Sequence, residues 1–340
     1  MTSESPARWA LILGASSGFG AAACRALARK GFDIAGVHLD RRATLPEAEK
    51  VRLDVVQAGR RALFFNVNAA DPERRAEVIQ RCRDESLRES TSDGIRVLLH
   101  SLAFGTLKPF IDGERDAAIK EADMAMTLDV MAHSLVYWVQ NLFASGLLRP
   151  GAKIFAMTSA GGHRVWPTYG AVSAAKAALE AHVRQLAFEL APHGISVNAL
   201  RAGVTDTPAA RKIPRSDRMF SRAQDSNPGG RLTTPEDVAE LIETLSATDS
   251  HWMTGNVIGV DGGEDLSGGP RGPPQCGACD SDSGDRESAW AMPSRRFGRD
   301  SVQPFQCPWL RTSMPGTPEG SGRRARGETP GEAIRHRFQP

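Results

Sequence analysis

From residue 7 to about residue 266, short apolar runs alternate with amphipathic stretches of helical period. Continuous apolar runs of four to eight residues are the pattern of strands buried on both faces. They occur at residues 9–13 (WALIL), 33–39, 62–67, 95–99, 152–157, 195–199 and 256–260. Between them lie helical patterns at residues 18–30, 45–58, 72–88, 114–125, 128–148 and 169–190, and another beginning at residue 235. Two of these starts are marked chemically. Asp71-Pro72 and Thr234-Pro235 each place a capping side chain before a proline in the first helical position. Regular strand–helix alternation predicts a Rossmann-like α/β fold: a doubly wound, parallel, seven-stranded sheet with helices on both faces.

Composition changes this picture only near residue 267. Residues 268–340 contain 11 Gly, 10 Pro and no Lys. They hold too little apolar surface to offset the entropy of ordering. The expectation is one folded domain at residues 1–267 followed by a disordered tail at 268–340. The whole chain, 340 residues and 41% hydrophobic, carries a formal charge of +2. That gives no field to draw it to nucleic acid or an anionic membrane. No apolar run reaches the ~18 residues of a membrane span, and the N-terminus lacks a signal pattern. A cytoplasmic setting is expected. Cys276 and Cys279 have zinc-like spacing, but no second pair completes a site, so no metal is expected.

Two stretches carry candidate chemistry. Gly14-Ala-Ser16-Ser17-Gly18-Phe19-Gly20 joins the first strand to the first helix. There, glycine lets the backbone approach a pyrophosphate, and the helix N-terminus supplies free N–H groups. At the end of the second strand, Asp40 suits the ribose hydroxyls of NAD and Arg41 the 2′-phosphate of NADP. Asn68 and Ala69 end the third strand, and His100-Ser101-Leu102-Ala103 ends the fourth; both fall where an α/β sheet holds its ligand. The second stretch is Tyr169-Gly-Ala-Val-Ser-Ala-Ala-Lys176. Seven residues are two helical turns, so the phenol and the ammonium can share a cleft. A nearby ammonium is expected to lower the phenol pKa and make Tyr169 a proton donor to a substrate that receives hydride.

Together these features resemble the short-chain dehydrogenase/reductase family over about residues 7–266. The glycine pattern, the Tyr–Lys helix, Val197-Asn-Ala199 with Ala202-Gly203, and Val260-Asp-Gly-Gly263 follow the family's order. Six residues between Tyr169 and Lys176, where most members have three, resemble the enoyl-acyl-carrier-protein reductase branch, as does His100-Ser-Leu-Ala103. Gly105-Thr-Leu-Lys-Pro109 and Pro228-Gly-Gly-Arg231 are most similar to its NADPH-using version, which puts NADPH ahead of NADH. The resemblance implies reduction of a 2-enoyl thioester carried by acyl-carrier protein or coenzyme A, in a homodimer or homotetramer. It implies Tyr169, Lys176, Ser159 and Asp129 at the catalytic centre, with Asp129 a water or Lys176 partner. Thr158 is a weaker candidate. It also implies that Gly203, Thr205 and Thr207 run along the nicotinamide carboxamide.

Residues 206–231, rich in Pro, Arg and Ser, suit a mobile lid whose Arg211, Lys212 and Arg215 could meet a carrier phosphate. His163 reads as a solvated loop residue. Two rivals remain. Ser159 is also similar to the substrate-orienting serine of ketone reductases, which keeps a carbonyl or 3-ketoacyl reductase or an alcohol dehydrogenase open. A cofactor-sensing protein without catalysis is the other.

Overall fold

In a computed structural model of the chain, the described residues are 8–87, 93–113 and 117–266. All of them belong to one unit, which ends at Gly277. The tail at 268–340, with its cysteines, lies outside the described residues.

Seven parallel strands form one sheet in the order β3-β2-β1-β4-β5-β6-β7. They are β1 (Arg8–Leu13), β2 (Phe32–His38), β3 (Ala62–Asn66), β4 (Ile95–His100), β5 (Lys153–Ser159), β6 (Ser196–Ala202) and β7 (Val257–Val260). The helices are α1 (Gly18–Arg29), α2 (Leu45–Gln57), α3 (Pro72–Leu87), α4 (Glu121–Leu128), α5 (Ser134–Ala144), α6 (Gly170–Leu190), α7 (Ser216–Ser226) and α8 (Pro235–Ser246). Each predicted strand is present within three residues of its expected ends.

Alternation along the strands builds two cores, because successive side chains point to opposite faces. Leu11 and Leu13 of β1 pack with Trp138 and Leu142 of α5 and with Leu179 and Leu186 of α6. Ala10 and Ile12 pack on the other face with Leu27 of α1, Val51 of α2 and Val238 and Ile242 of α8. The Thr234 side chain accepts from Asp237 N, and Asp237 closes the reciprocal capping bond, so α8 starts where its sequence predicts.

Three elements differ from expectation. The helix expected at 114–125 begins only at Glu121; residues 117–120 are not helical, and 114–116 lie outside the described residues. The long helix expected at 128–148 is interrupted: a π-helical turn, Asp129–His133, joins α4 to α5, which ends at Ala144. Apolar residues continue through it, so periodicity alone could not show an extra residue in the turn. The stretch expected to be an unpatterned lid contains an 11-residue helix, α7, with only Ala223 buried. Its apolar stripe is short, Met219, Phe220 and Ala223 within a polar stretch, too little to stand out along the chain.

Strand order reverses direction of growth between β1 and β4, which is where such a sheet opens a crevice at its carboxyl ends. Leu13, His100 and Val37 are in register there. The chain leaves β1 through Gly14, whose φ of +92° is open to glycine and costly for other residues. A Cβ on Gly14 would strike the Ser101 carbonyl, and one on Gly20 would strike the Gly14 carbonyl. Gly14→Ala is therefore expected to lower unfolding free energy by at least about 1–2 kcal/mol. A urea midpoint equal to wild type would contradict this packing.

Candidate active site

The crevice has a nucleotide end and a reactive end. At the nucleotide end, Ser17 caps α1 in extended geometry (φ −155°, ψ 172°) without closing a side-chain capping bond. The first turn of α1 contains no acidic residue. Its N–H groups and positive end thus lack a side-chain partner, which is the chemistry an anion requires. A Cβ on Gly18 would meet the Thr207 side chain at 3.4 Å, so the glycine turn and the segment after β6 face each other closely. Gly14 and Ala15 donate to the Val37 carbonyl, and Ser101 N donates to the Leu13 carbonyl, tying the turn between β2 and β4. Gly14, Ser16, Gly18, Phe19, Ser101, Leu102 and Gly203 are partly exposed, Ser17 and Ala103 more so, and Gly20 is buried. This glycine cradle with an uncapped helix end fits a dinucleotide pyrophosphate.

Asp40 follows β2, and its Oδ2 lies 2.9 Å from His38 Nδ1; Asp40 N donates to Asn66 Oδ1. The Asp40 side chain is only 11% exposed, whereas Arg41 and Arg42 are exposed. Asn68 Oδ1 accepts from Ala70 N, and the Ala69 carbonyl accepts from Trp138 Nε1, so the turn after β3 is pinned to α5. Thr205 Oγ1 donates to the Gly203 carbonyl, and Thr207 Oγ1 accepts from Ala210 N. Both threonines are buried and hold the shape of this segment.

At the reactive end, Tyr169 stands at the N-cap of α6 and Lys176 lies within it. Thr168, just before Tyr169, adopts φ +63°, a strained conformation for a β-branched residue. Gly161 makes room for the Tyr169 ring, and Gly170 makes room for the Phe110 ring. Burial pushes the Tyr169 phenol above its ordinary pKa, and the neighbouring Ser159 hydroxyl opposes that shift. The expected lowering by an ammonium is thus absent: desolvation dominates, and Tyr169 holds its proton at neutral pH. Ser159 Oγ is buried and closes no protein hydrogen bond of good geometry.

Lys176 is 5% exposed, and its Nζ donates to the Met157 carbonyl at 2.7 Å. Burial pushes the ammonium down to about 8, against the charge of Glu180. Thr158 Oγ1 donates to Glu180 Oε1 at 2.7 Å. The charge of Asp129, in the π turn, acts on Arg75 of α3, and Glu180 supplies the charge that acts on Lys176.

Other residues take places the sequence did not indicate. His100 is fully buried, and burial with the Lys176 charge pushes it down to about 3, so it is neutral. With Ser134 donating to the Val130 carbonyl, His100 Nε2–H donates to Ser134 Oγ at 2.8 Å, and Nδ1 is a buried acceptor without a partner. His163 is paired rather than simply solvated. With Arg164 and Arg201 it meets the Asp265 carboxylate at 2.8–3.1 Å, which ties the turn after β5 to the segment after β7. Arg211 is held by Asp206 in a bidentate pair, while Lys212 and Arg215 stay exposed. Glu180, four residues after Lys176, was the one network member its spacing could have revealed. Among the described residues, no cluster of three or more His, Cys, Asp or Glu could hold a metal. No described helix is long and apolar enough to cross a membrane.

An ammonium buried this way destabilises the fold. Its folded pKa, about 8, lies below the ordinary lysine value of 10.5, so the unfolded chain binds the proton more tightly. Lys176→Met is expected to be more stable than wild type near pH 7. That advantage should shrink by about 2–3 kcal/mol as pH rises to 10, where wild type loses the proton in the folded state. Urea denaturation at both pH values measures it, and a pH-independent difference would contradict it.

A family model described as "Enoyl-(Acyl carrier protein) reductase" matches residues 14–264. Enoyl-[acyl-carrier-protein] reductase [NADH] FabI of Aquifex aeolicus is 32% identical over 180 residues, 53% of this chain and 66% of that protein. The chain thus aligns with slightly under two thirds of that relative. Cyclohexanol dehydrogenase of Rhodococcus sp. is 32% identical over 279 residues, 77% of this chain and 98% of that protein. The crystal structure of the Aquifex aeolicus reductase superposes with a TM-score of 0.63 at 25% identity, covering 77% of this chain and 98% of that one. With the seven-stranded sheet, the glycine cradle and the Tyr169–Lys176 helix in place, the chain belongs to the short-chain dehydrogenase/reductase family of nicotinamide-dependent oxidoreductases.

Proposed function

We propose that this chain reduces the 2,3 double bond of an enoyl thioester with a nicotinamide cofactor, NADPH ahead of NADH. The observation that carries the reading is one helix that presents a protonated, partly buried Tyr169 at its N-cap, seven residues before a buried Lys176. That spacing is the enoyl-reductase one, and both the matched family model and the Aquifex aeolicus relative bear enoyl-reductase descriptions. Beside Tyr169 the surface is apolar: the half-exposed Phe110 ring packs on Gly170, and its neighbour Ile111 is exposed. A hydrocarbon chain would cover such a surface favourably.

Bound nicotinamide would supply a hydride for the β-carbon of the substrate. The Tyr169 phenol would stabilise the resulting enolate oxygen by donating to it, and the α-carbon would take its proton from water as the enolate collapses to the saturated thioester. Lys176 would bind the nicotinamide ribose. Asp129, whose charge acts on Arg75, contributes through the shape of the π turn. The glycine cradle, Ser101–Ala103 and Gly203–Thr207 would flank the cofactor. The preference for NADPH rests on Asp40, whose Oδ2 is committed to His38 while Arg41 and Arg42 are exposed. An exposed guanidinium suits a 2′-phosphate. Lys212 and Arg215 suit the phosphate of a thioester carrier.

Ser159 supports a second reading. A buried hydroxyl that closes no hydrogen bond of good geometry, beside the phenol, suits a ketone oxygen, and one relative is a cyclohexanol dehydrogenase.

The deciding assay follows loss of NADPH and NADH absorbance with 2-enoyl and 3-ketoacyl thioesters in parallel. Turnover of the enoyl substrates is expected, and Tyr169→Phe should lower kcat/KM by about 10²–10³-fold. Turnover of the keto substrates alone moves the assignment to carbonyl reduction. Arg41→Ala is expected to weaken NADPH binding by about tenfold or more and to leave NADH binding within about twofold. Equal weakening of both in a fluorescence titration contradicts the 2′-phosphate role.

A further inference from the structure

The ammonium of Lys176 has one protein acceptor among the described residues, the Met157 carbonyl, and no carboxylate within ion-pair distance. The next residue of β5, Thr158, uses its hydroxyl to hold Glu180 Oε1 at 2.7 Å. Lys176 and Glu180 are four residues apart on α6 and share one helix face. Gly162 lies over both: a Cβ there would stand 3.2 Å from Glu180 Oε1 and 3.7 Å from Lys176 Cβ. Two successive β5 residues therefore fasten one face of α6, the first through the ammonium and the second through the carboxylate.

We propose that Glu180 is a positioning residue that acts through Lys176: anchored by Thr158, its carboxylate keeps the enclosed ammonium charged in the working enzyme. The inference rests on the nicotinamide-binding reading of the site and not on the choice of substrate. Burial favours neutral Lys176, and the Glu180 charge opposes it. The other groups do not replace that charge. Tyr169 keeps its proton, and His100 is neutral. Thr158 and Ser159 are uncharged, and Asp129 acts on Arg75.

The test is the pH dependence of NADPH binding, read by nicotinamide fluorescence without substrate between pH 6 and 9.5. Affinity that depends on charged Lys176 falls as pH rises through its value near 8. Glu180→Gln keeps an acceptor for Thr158 and removes only the charge. The alkaline limb is expected to move down by about one pH unit, giving binding about fivefold weaker at pH 8 and within about twofold of wild type at pH 6. Glu180→Asp, which keeps the carboxylate, is expected to restore most of the limb. Thr158→Val, which frees the carboxylate without neutralising it, should shift the limb the same way by less, and it serves if Glu180→Gln fails to fold. A limb unmoved in these variants, or an equal loss at pH 6 and pH 9, overturns the proposal. A shifted limb in a chain that turns over no enoyl thioester would defeat the substrate assignment and support this one.

Discussion

The enclosure of a lysine behind the end of a strand is the constraint on which the reactive half of this molecule depends. An ammonium taken out of water needs acceptors and a compensating charge. The Met157 carbonyl supplies the acceptor, and Glu180, held by Thr158, supplies the charge. Burial, with the Lys176 charge adding to it, makes a charged imidazole at His100 untenable, so that residue is neutral and bonded to Ser134 instead. One buried cation and the carboxylate beside it thus fasten α6 against β5. The fold tolerates a destabilising group where chemistry is to occur, as functional sites commonly do.

The nucleotide half depends on a different kind of closeness. Gly14, Gly20 and Ser101 pack backbone against backbone, so the first turn of α1 comes directly to the crevice between β1 and β4. Side chains would separate these segments and move the helix end away from any anion it should meet. Electrostatics governs one end of the crevice, and the absence of Cβ atoms governs the other. The turn after β5 joins them to the rest of the fold through the Asp265 carboxylate, which gathers His163, Arg164 and Arg201.

The sheet was legible because strands buried on both faces write continuous apolar runs, and each such run became a strand. The glycine turn and the Tyr169–Lys176 spacing were legible because they are local. The state of the phenol was not: its pKa is set by burial among Ser159, Gly161 and neighbours brought in from distant parts of the chain. The pairing of His38 with Asp40 and of Arg211 with Asp206 could not be read from residue types alone, since the same residues could equally have faced a ligand. Helix α7 was hard to read because its apolar face is only three residues, Met219, Phe220 and Ala223, in a polar stretch.

The π turn at Asp129–His133 has a consequence for how this chain can change by insertion and deletion. Its extra residue lets α4 and α5 run on as one rod while their faces are out of step by about 100°, the rotation of one residue. Removing any one residue there would restore an ordinary helix and leave the composition of both halves intact. It would also turn one half about its own axis relative to the other. Thr127, which caps the backbone at Thr106, and Trp138, which holds the turn after β3, could then no longer both face their partners. The segment should therefore accept many substitutions yet resist changes in length, because its length keeps two ends of the crevice in phase.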